Sequence, residues 1–180
     1  HAVIGPDVYP ALFFLSFMKR AAVSQPEVAT LFIAASEQDS NLYYATRFIA
    51  PDSFIYLEIK GERLLVMSDL EMDRARSQAS VDRVLSYSEL EQKAKEQGIK
   101  DPTTVDIVHV VLKESKIRQL LVPANFPFIH ATRLQELGYS LKPKRDPFYE
   151  QRVVKTAEEV RHIEAAQRAT EEAVAAAHAV

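Results

Sequence analysis

The chain has 180 residues, of which 47% are hydrophobic and 26% are charged, and its formal net charge is −3. These values are typical of a globular protein with a sizeable core, and they give no general attraction to nucleic acid or to anionic lipid. The absence of cysteine excludes disulfides, thiolate metal sites and a cysteine nucleophile, and it fits a reducing, cytoplasmic compartment. The four glycines cannot form a phosphate-binding loop.

The first predicted element is a helix in the strongly apolar stretch YPALFFLSFMKRAAV, residues 9–23. Its basic residues follow the apolar run instead of preceding it, and the run is too short to span a bilayer, so we expect neither a signal peptide nor a membrane partner. The continuous apolar run at 28–36 predicts a central strand buried on both faces. Residues 36–48 are expected to hold a short helical turn, and residues 53–68 a hairpin that turns near Gly61.

The middle of the chain alternates between helical and strand-like patterns. Asp69 is expected to cap a helix over residues 69–78, because acids favour the positive end of a helix. The pattern then predicts strands at 80–88 and 118–124 and helices at 88–98, 102–115 and 127–138. Residues 139–154 are interrupted by two prolines and are expected to contain edge strands. This order predicts an α/β protein with a mixed sheet.

The chain closes on a long predicted helix that begins near Thr156. Thr156 and Glu159 have the spacing of a capping box, and the residues that follow are strong helix formers. No glycine or proline marks a helix end. We interpret the chain as cut inside the first helix of a second domain, with domain boundaries of 1–152 and 153–180. The alternative is an exposed terminal helix that frays in solvent.

The sequence offers no catalytic constellation and no metal site. Glu159 and His162 form a single Glu-x-x-His, whereas a carboxylate-bridged di-iron site needs two. The acidic run at 69–73 begins like a calcium loop but lacks the glycine at its sixth position. His109 lies between valines on an apolar helix, and we interpret it as a half-buried histidine with a hydrogen-bond partner.

Three segments, in order, resemble the creatinase/prolidase family. DSNLYYATRF (39–48) is similar to the family segment of asparagine, aliphatic, any residue, tyrosine, any residue, threonine, glycine and phenylalanine. PDSFIYLEIKGERLLVMSDLEMDRAR (51–76) follows with the family's proline-aspartate pair, two strands around a Gly-Glu turn, and a Ser-Asp that leads into a helix. VVKTAEEVRHIEAAQRATEEA (153–173) resembles the linker and first helix before the pita-bread catalytic domain. The resemblance implies a ribonuclease-H-like, three-layer α/β/α N-terminal domain with a mixed sheet.

The resemblance also implies a function for a longer protein that contains this chain. In the family, the catalytic domain holds two divalent metal ions, usually manganese, cobalt or zinc, and it cleaves Xaa-Pro peptides. None of those ligands maps onto this chain, so we expect it to hold no cofactor and to have no catalytic residue or peptidase activity of its own. The family's N-terminal domain dimerises and overhangs the partner's active site. A homodimer, its own catalytic domain and short proline-containing peptides are therefore the expected partners.

The loop after NLYYAT is the segment that we place nearest to the partner subunit's active site. Arg47, Phe48 and Asp52, together with Pro51, are the candidate residues of the partner's substrate channel. Arg47 stands where the family commonly has glycine, and its guanidinium is suited to a substrate carboxylate; the alternative is a structural salt bridge or a solvated side chain. Two further functions stay open: a non-catalytic peptide- or protein-binding module, and part of a creatinase-like amidinohydrolase.

Overall fold

The computed structural model describes residues 27–178, so the predicted helix at 9–23 lies outside the described residues. Six strands follow the chain as β1 (Val28–Ala34), β2 (Phe54–Ile59), β3 (Glu62–Met67), β4 (Arg83–Ser86), β5 (Gln119–Pro123) and β6 (Ser140–Lys144). The α-helices are α1 (Ser40–Thr46), α2 (Met72–Gln78), α3 (Tyr87–Glu96), α4 (Thr104–Ser115), α5 (Phe128–Glu136) and α6 (Ala157–His178). The predicted order of elements is thereby confirmed for the described part of the chain.

The six strands form one mixed sheet in the order β4-β3-β2-β1-β5-β6. Strand β2 runs antiparallel to β1 and β3, whereas the other neighbouring pairs are parallel. The hairpin between β2 and β3 turns at Lys60 and Gly61, which both have a positive φ. The apolar run at 28–36 forms β1 in the middle of the sheet, as predicted.

Alternate residues of the central strands enter two different hydrophobic cores. In β1, Leu31 and Ile33 pack on the face covered by α3, α4 and α5, whereas Phe32 packs on the face covered by α1 and α2. This follows from the two-residue period of a strand, which places successive side chains on opposite faces. Helices on both faces give the three-layer α/β/α architecture that the sequence predicted.

The predicted cap of α2 is wrong. Helix α2 begins at Met72 after a turn in which the Glu71 amide donates to the carbonyl of Ser68, so Asp69 lies before the helix. The Asp69 carboxylate instead accepts hydrogen bonds from the hydroxyls of Ser86 and Ser88, at 2.7 and 2.8 Å. These two bonds lower the pKa of Asp69 and hold the start of α3 against the β3–α2 turn.

Two helix starts are set by capping boxes. In α4 the backbone amide and the hydroxyl of Thr103 both donate to Asp106, so Pro102 lies just before the cap and not inside the helix. In α6 the Thr156 amide donates to the Glu159 carboxylate at 2.9 Å, and the Glu159 amide donates to the Thr156 hydroxyl at 3.2 Å. The box predicted at Thr156 is confirmed.

Helix α6 has 22 residues, and none of its described side chains is buried. Between β6 and α6 the chain passes through the cis Asp146–Pro147 bond and buries Phe148 in the same core as Phe32. A short 3₁₀ turn, Glu150–Arg152, then leads to α6. Among residues 27–178 no helix is long and apolar enough to cross a membrane.

Candidate functional site

The segment that carries the family resemblance forms α1 and its two ends. The Asp39 carboxylate caps the helix by accepting from the amides of Asn41 and Leu42, at 2.9 and 3.0 Å. The Thr46 hydroxyl donates to the carbonyl of Leu42 and accepts from the amide of Phe48, at 2.9 and 3.2 Å. The Asp39 and Thr46 side chains therefore fix the two ends of α1.

Arg47 ends α1 in the left-handed conformation, with φ 51° and ψ 22°. This region favours glycine because a Cβ is crowded there, which accounts for the glycine that the related motif carries at this position. The Arg47 guanidinium lies 4.7 Å from the centre of the Tyr44 ring and 3.5 Å from the carboxylate of Glu159 in α6. Arg47 thus makes an ion pair with Glu159, and its contact with a substrate carboxylate stays a prediction.

The other two candidate residues lie in different surroundings. Phe48 is 1% exposed and packs in the core with Phe54, while the guanidinium of Arg74 covers its ring at 4.4 Å. Asp52 is exposed in the loop that enters β2. Of the three predicted channel residues, Arg47 and Asp52 present side chains to solvent and Phe48 does not. Their proposed contact with the partner's substrate stays a prediction.

Asp52 borders a cavity of about 440 Å³ at the edge of the sheet where β1 and β3 end. The side chains that line it include Ile33, Ile55, Val66, Asp52, Glu71 and His130. The Glu71 carboxylate is paired with Arg74 at 2.7 Å, and burial lowers the pKa of His130. Such a crevice beyond the carboxyl ends of strands is a usual place for ligands in α/β sheets.

A polar cluster that the sequence did not single out joins α1 to the segment before α6. Arg152 donates to the Asn41 side-chain oxygen and, at 2.7 Å, to the Ser40 hydroxyl, and it lies 3.7 Å from the Asp146 carboxylate. The Asn41 amide donates to Asp146 at 2.9 Å. Asn41 stood in the motif, but its partners lie more than 100 residues away, which the spacing does not reveal.

Within residues 27–178 no three histidine, aspartate or glutamate side chains come together as metal ligands. The Glu159 carboxylate is held by Thr156 and Arg47, and hydrogen bonds from Thr156 and then Arg47 keep its pKa low. His109 has the predicted partner, since its Nδ1 lies 2.9 Å from the Tyr139 hydroxyl.

Solved structures supply the comparison. The chain matches a prolidase from Pyrococcus horikoshii OT3 with a TM-score of 0.60 and 18% identity, over 84% of this chain and 38% of that one. It matches an X-Pro aminopeptidase from Thermotoga maritima MSB8 with a TM-score of 0.61 and 16% identity, over 81% and 40%. An Xaa-Pro dipeptidase from Bacillus anthracis gives a TM-score of 0.58 and 15% identity, over 74% and 33%.

The chain has the fold of the prolidase N-terminal domain. At these identities the similarity establishes the fold alone, and the chain spans about two fifths or less of the length of these three structures. No protein-family model matches the chain, and no curated protein matches it. The predicted α/β fold with a mixed sheet is confirmed.

Proposed function

We propose that the chain is the non-catalytic N-terminal domain of a longer, metal-dependent Xaa-Pro dipeptidase or aminopeptidase. The observation that carries this proposal is the shared fold, which covers 84% of this chain but only 38% of a prolidase. Two divalent metal ions, manganese, cobalt or zinc, would supply the hydrolytic chemistry from residues outside this chain.

The same proposal accounts for the exposed apolar residues of α6. Its apolar residues Val160, Ile163 and Val174 are 41%, 54% and 52% exposed, an unusual fraction for side chains spaced along one helix. A catalytic domain that follows in the longer protein would cover this stripe. Residues 153–180 would then be the linker and first helix of that domain, as the sequence predicted.

The proposed contribution of the domain is dimerisation and restriction of the active site to short peptides. An exposed Asp52 and the loop that carries it support a position at a surface that a second subunit is able to reach. The test compares the longer protein with a variant that lacks residues 1–152, using an Xaa-Pro dipeptide and a ten-residue peptide with proline in second position. We expect the intact protein to prefer the short peptide and the shortened protein to lose that preference.

Analytical ultracentrifugation of both proteins completes the experiment. A dimer that dissociates when residues 1–152 are removed supports the proposed role. Equal peptide-length preference and equal mass per particle in the two proteins would overturn it. Because a shortened protein is able to misfold, Asp52→Ala in the intact protein provides a second variant. A lower kcat/KM with the dipeptide supports a position of Asp52 near the substrate, and an unchanged kcat/KM contradicts that position.

A second candidate function is a non-catalytic module that binds a small peptide or amine, and the cavity beside Asp52 favours it. Its lining carries the exposed carboxylate of Asp52, which suits a cationic ligand, and the Glu71 carboxylate that is paired with Arg74, while burial lowers the pKa of His130 and favours its neutral form. Calorimetric titration of the chain with short peptides tests this function. Peptide binding by the native chain that is lost in the Asp52→Asn variant supports it. A creatinase-like amidinohydrolase has no separate observation in its favour.

A further inference from the structure

Hydrophobic burial does not fix the direction of α6 relative to the sheet. Its described side chains are all exposed or half-exposed, so the sheet and the other helices do not hold it by hydrophobic packing. A helix of 22 residues is about 33 Å long, and a swing of about 20° at its start moves Glu172 by about 8 Å. Polar contacts at the first turn and just before it must therefore carry the orientation.

The first of these contacts joins Arg47 to Glu159. Arg47 follows α1 in the left-handed conformation, and stacking on the Tyr44 ring of α1 at 4.7 Å restricts its guanidinium. Glu159 is itself fixed by the capping box with Thr156. The 3.5 Å ion pair thus connects the end of one ordered element with the start of another.

The second contact joins Arg152 to α1. Arg152 reaches Ser40, Asn41 and Asp146, and its side chain is 24% exposed, less than that of Arg47 at 47%. A guanidinium with several fixed acceptors has less freedom than one with a single partner. Nearby, the Tyr149 ring lies 5.8 Å from the Tyr44 ring of α1, measured between ring centres. Arg152 therefore fixes the chain four residues before the α6 cap.

We propose that Arg47 and Arg152 form a two-point clamp that holds α6 in one direction relative to α1. Both guanidinium groups bridge from α1 or its C-cap to the α6 segment, one on each side of the linker 153–155. In the longer peptidase of the proposed function, on which this consequence rests, the clamp sets the angle between the N-terminal domain and the catalytic domain. In this role Arg47 and Arg152 are positioning residues, which act through the direction of α6.

The clamp is testable by a distance measurement between spin labels. The chain has no cysteine, so Lys93→Cys on α3 and Glu172→Cys on α6 give two unique labelling sites, both exposed. Removal of one exposed ion pair changes a conformational equilibrium by at most about fivefold, so both clamp residues are changed together. Arg47→Gln with Arg152→Gln keeps unbranched polar side chains, although shorter ones, and removes the charges.

We expect one narrow distance distribution in the unaltered chain and a distribution broadened by about 8 Å, the swing calculated above, in the double variant. The matched control is Arg63→Gln with Arg83→Gln, which removes two exposed ion pairs at β3 and β4, each 3.4 Å long, and should leave the distribution narrow. Arg47→Lys, which keeps the charge, should restore most of the narrow distribution when paired with native Arg152.

An unchanged distance distribution in the double variant would overturn the clamp. A circular dichroism spectrum with undiminished helix content shows that the variant is folded and that α6 has not melted. The measurement uses the chain alone, so its result is independent of peptidase activity. If the distance distribution broadens but the longer protein has no peptidase activity, the clamp is supported and the proposed function is overturned. If the distribution does not broaden but the longer protein is an active peptidase, the clamp is overturned and the proposed function is supported.

Discussion

The Tyr139 hydroxyl lies 2.9 Å from Nδ1 of His109, which joins the start of β6 to the middle of α4. The two rings meet edge to face at 5.7 Å, and Tyr139 is almost fully buried. Burial lowers the pKa of His109, and the nearby charges of Lys113 and Arg118 lower it further. The neutral imidazole is therefore the form that the folded protein favours.

This relationship predicts that the free energy of unfolding falls as the pH is lowered from 7 to 5. A histidine whose pKa is depressed by folding binds protons more readily in the unfolded chain, so its contribution is complete above about pH 6.5 and is lost as the pH falls. Urea unfolding at pH 7.5 and pH 5.5 measures the loss. We expect the loss to be smaller in His109→Gln and not to vanish, because burial also lowers the pKa of His130. An equal loss in the variant and in the native protein would contradict this assignment.

Phe48 and Asp52 should separate into a core residue and a surface residue. Phe48→Ala leaves a cavity beside Phe54 and should lower the free energy of unfolding by about 3–5 kcal/mol. Asp52→Ala, at an exposed loop position, should change it by less than about 0.5 kcal/mol. Urea denaturation of the two variants gives both values. A Phe48→Ala variant as stable as Asp52→Ala would show that the ring is not packed as described.

The left-handed backbone at Arg47 predicts an order of stability among its variants. Arg47→Gly and Arg47→Ala lose the same ion pair with Glu159, but alanine keeps the crowded Cβ at φ 51°. We expect the glycine variant to be about 1 kcal/mol more stable than the alanine variant, measured by urea denaturation. An alanine variant that equals or exceeds the glycine variant would mean that this residue does not adopt the left-handed conformation.

Ser86 should be more important than its small size suggests. Its hydroxyl caps α3 by accepting from the Glu89 amide at 3.2 Å and also donates to Asp69 at 2.7 Å. Ser86→Ala should therefore lower the free energy of unfolding by about 1–2 kcal/mol. Ser77→Ala, which removes only an exposed bond to the Arg74 carbonyl, is the control and should change it by less than about 0.5 kcal/mol. Equal effects of the two substitutions would contradict the double role of Ser86.

The elements that the sequence predicted well are those with local signals. The apolar run of β1 and the capping box at Thr156 depend on residues within a few positions of one another. The wrong cap at Asp69 has the opposite cause, because its partners Ser86 and Ser88 lie 17 and 19 positions away. The preference of an acidic residue for the start of a helix was outweighed by two hydrogen bonds to residues distant in the sequence.

The candidate site was harder to predict for the same reason. The burial of Phe48 depends on how β2 pairs with β1, and the partners of Arg47 and Arg152 lie 112 and 111 positions away. The motif around α1 was recognisable as a resemblance, and the contacts of its threonine are local, but its asparagine acts through contacts with Asp146 and Arg152 that only the fold assembles. The sequence located the segment, and the structure assigned each side chain its contacts.

The most direct test of the proposed function is the hydrolysis of an Xaa-Pro dipeptide and an Xaa-Pro tripeptide by the longer protein, with and without added manganese. The 180-residue chain is assayed beside it under the same conditions. The account predicts manganese-dependent cleavage by the longer protein and none by the chain alone. Absence of cleavage by a folded, metal-loaded longer protein would contradict the peptidase proposal, and cleavage by the chain alone would contradict its non-catalytic role.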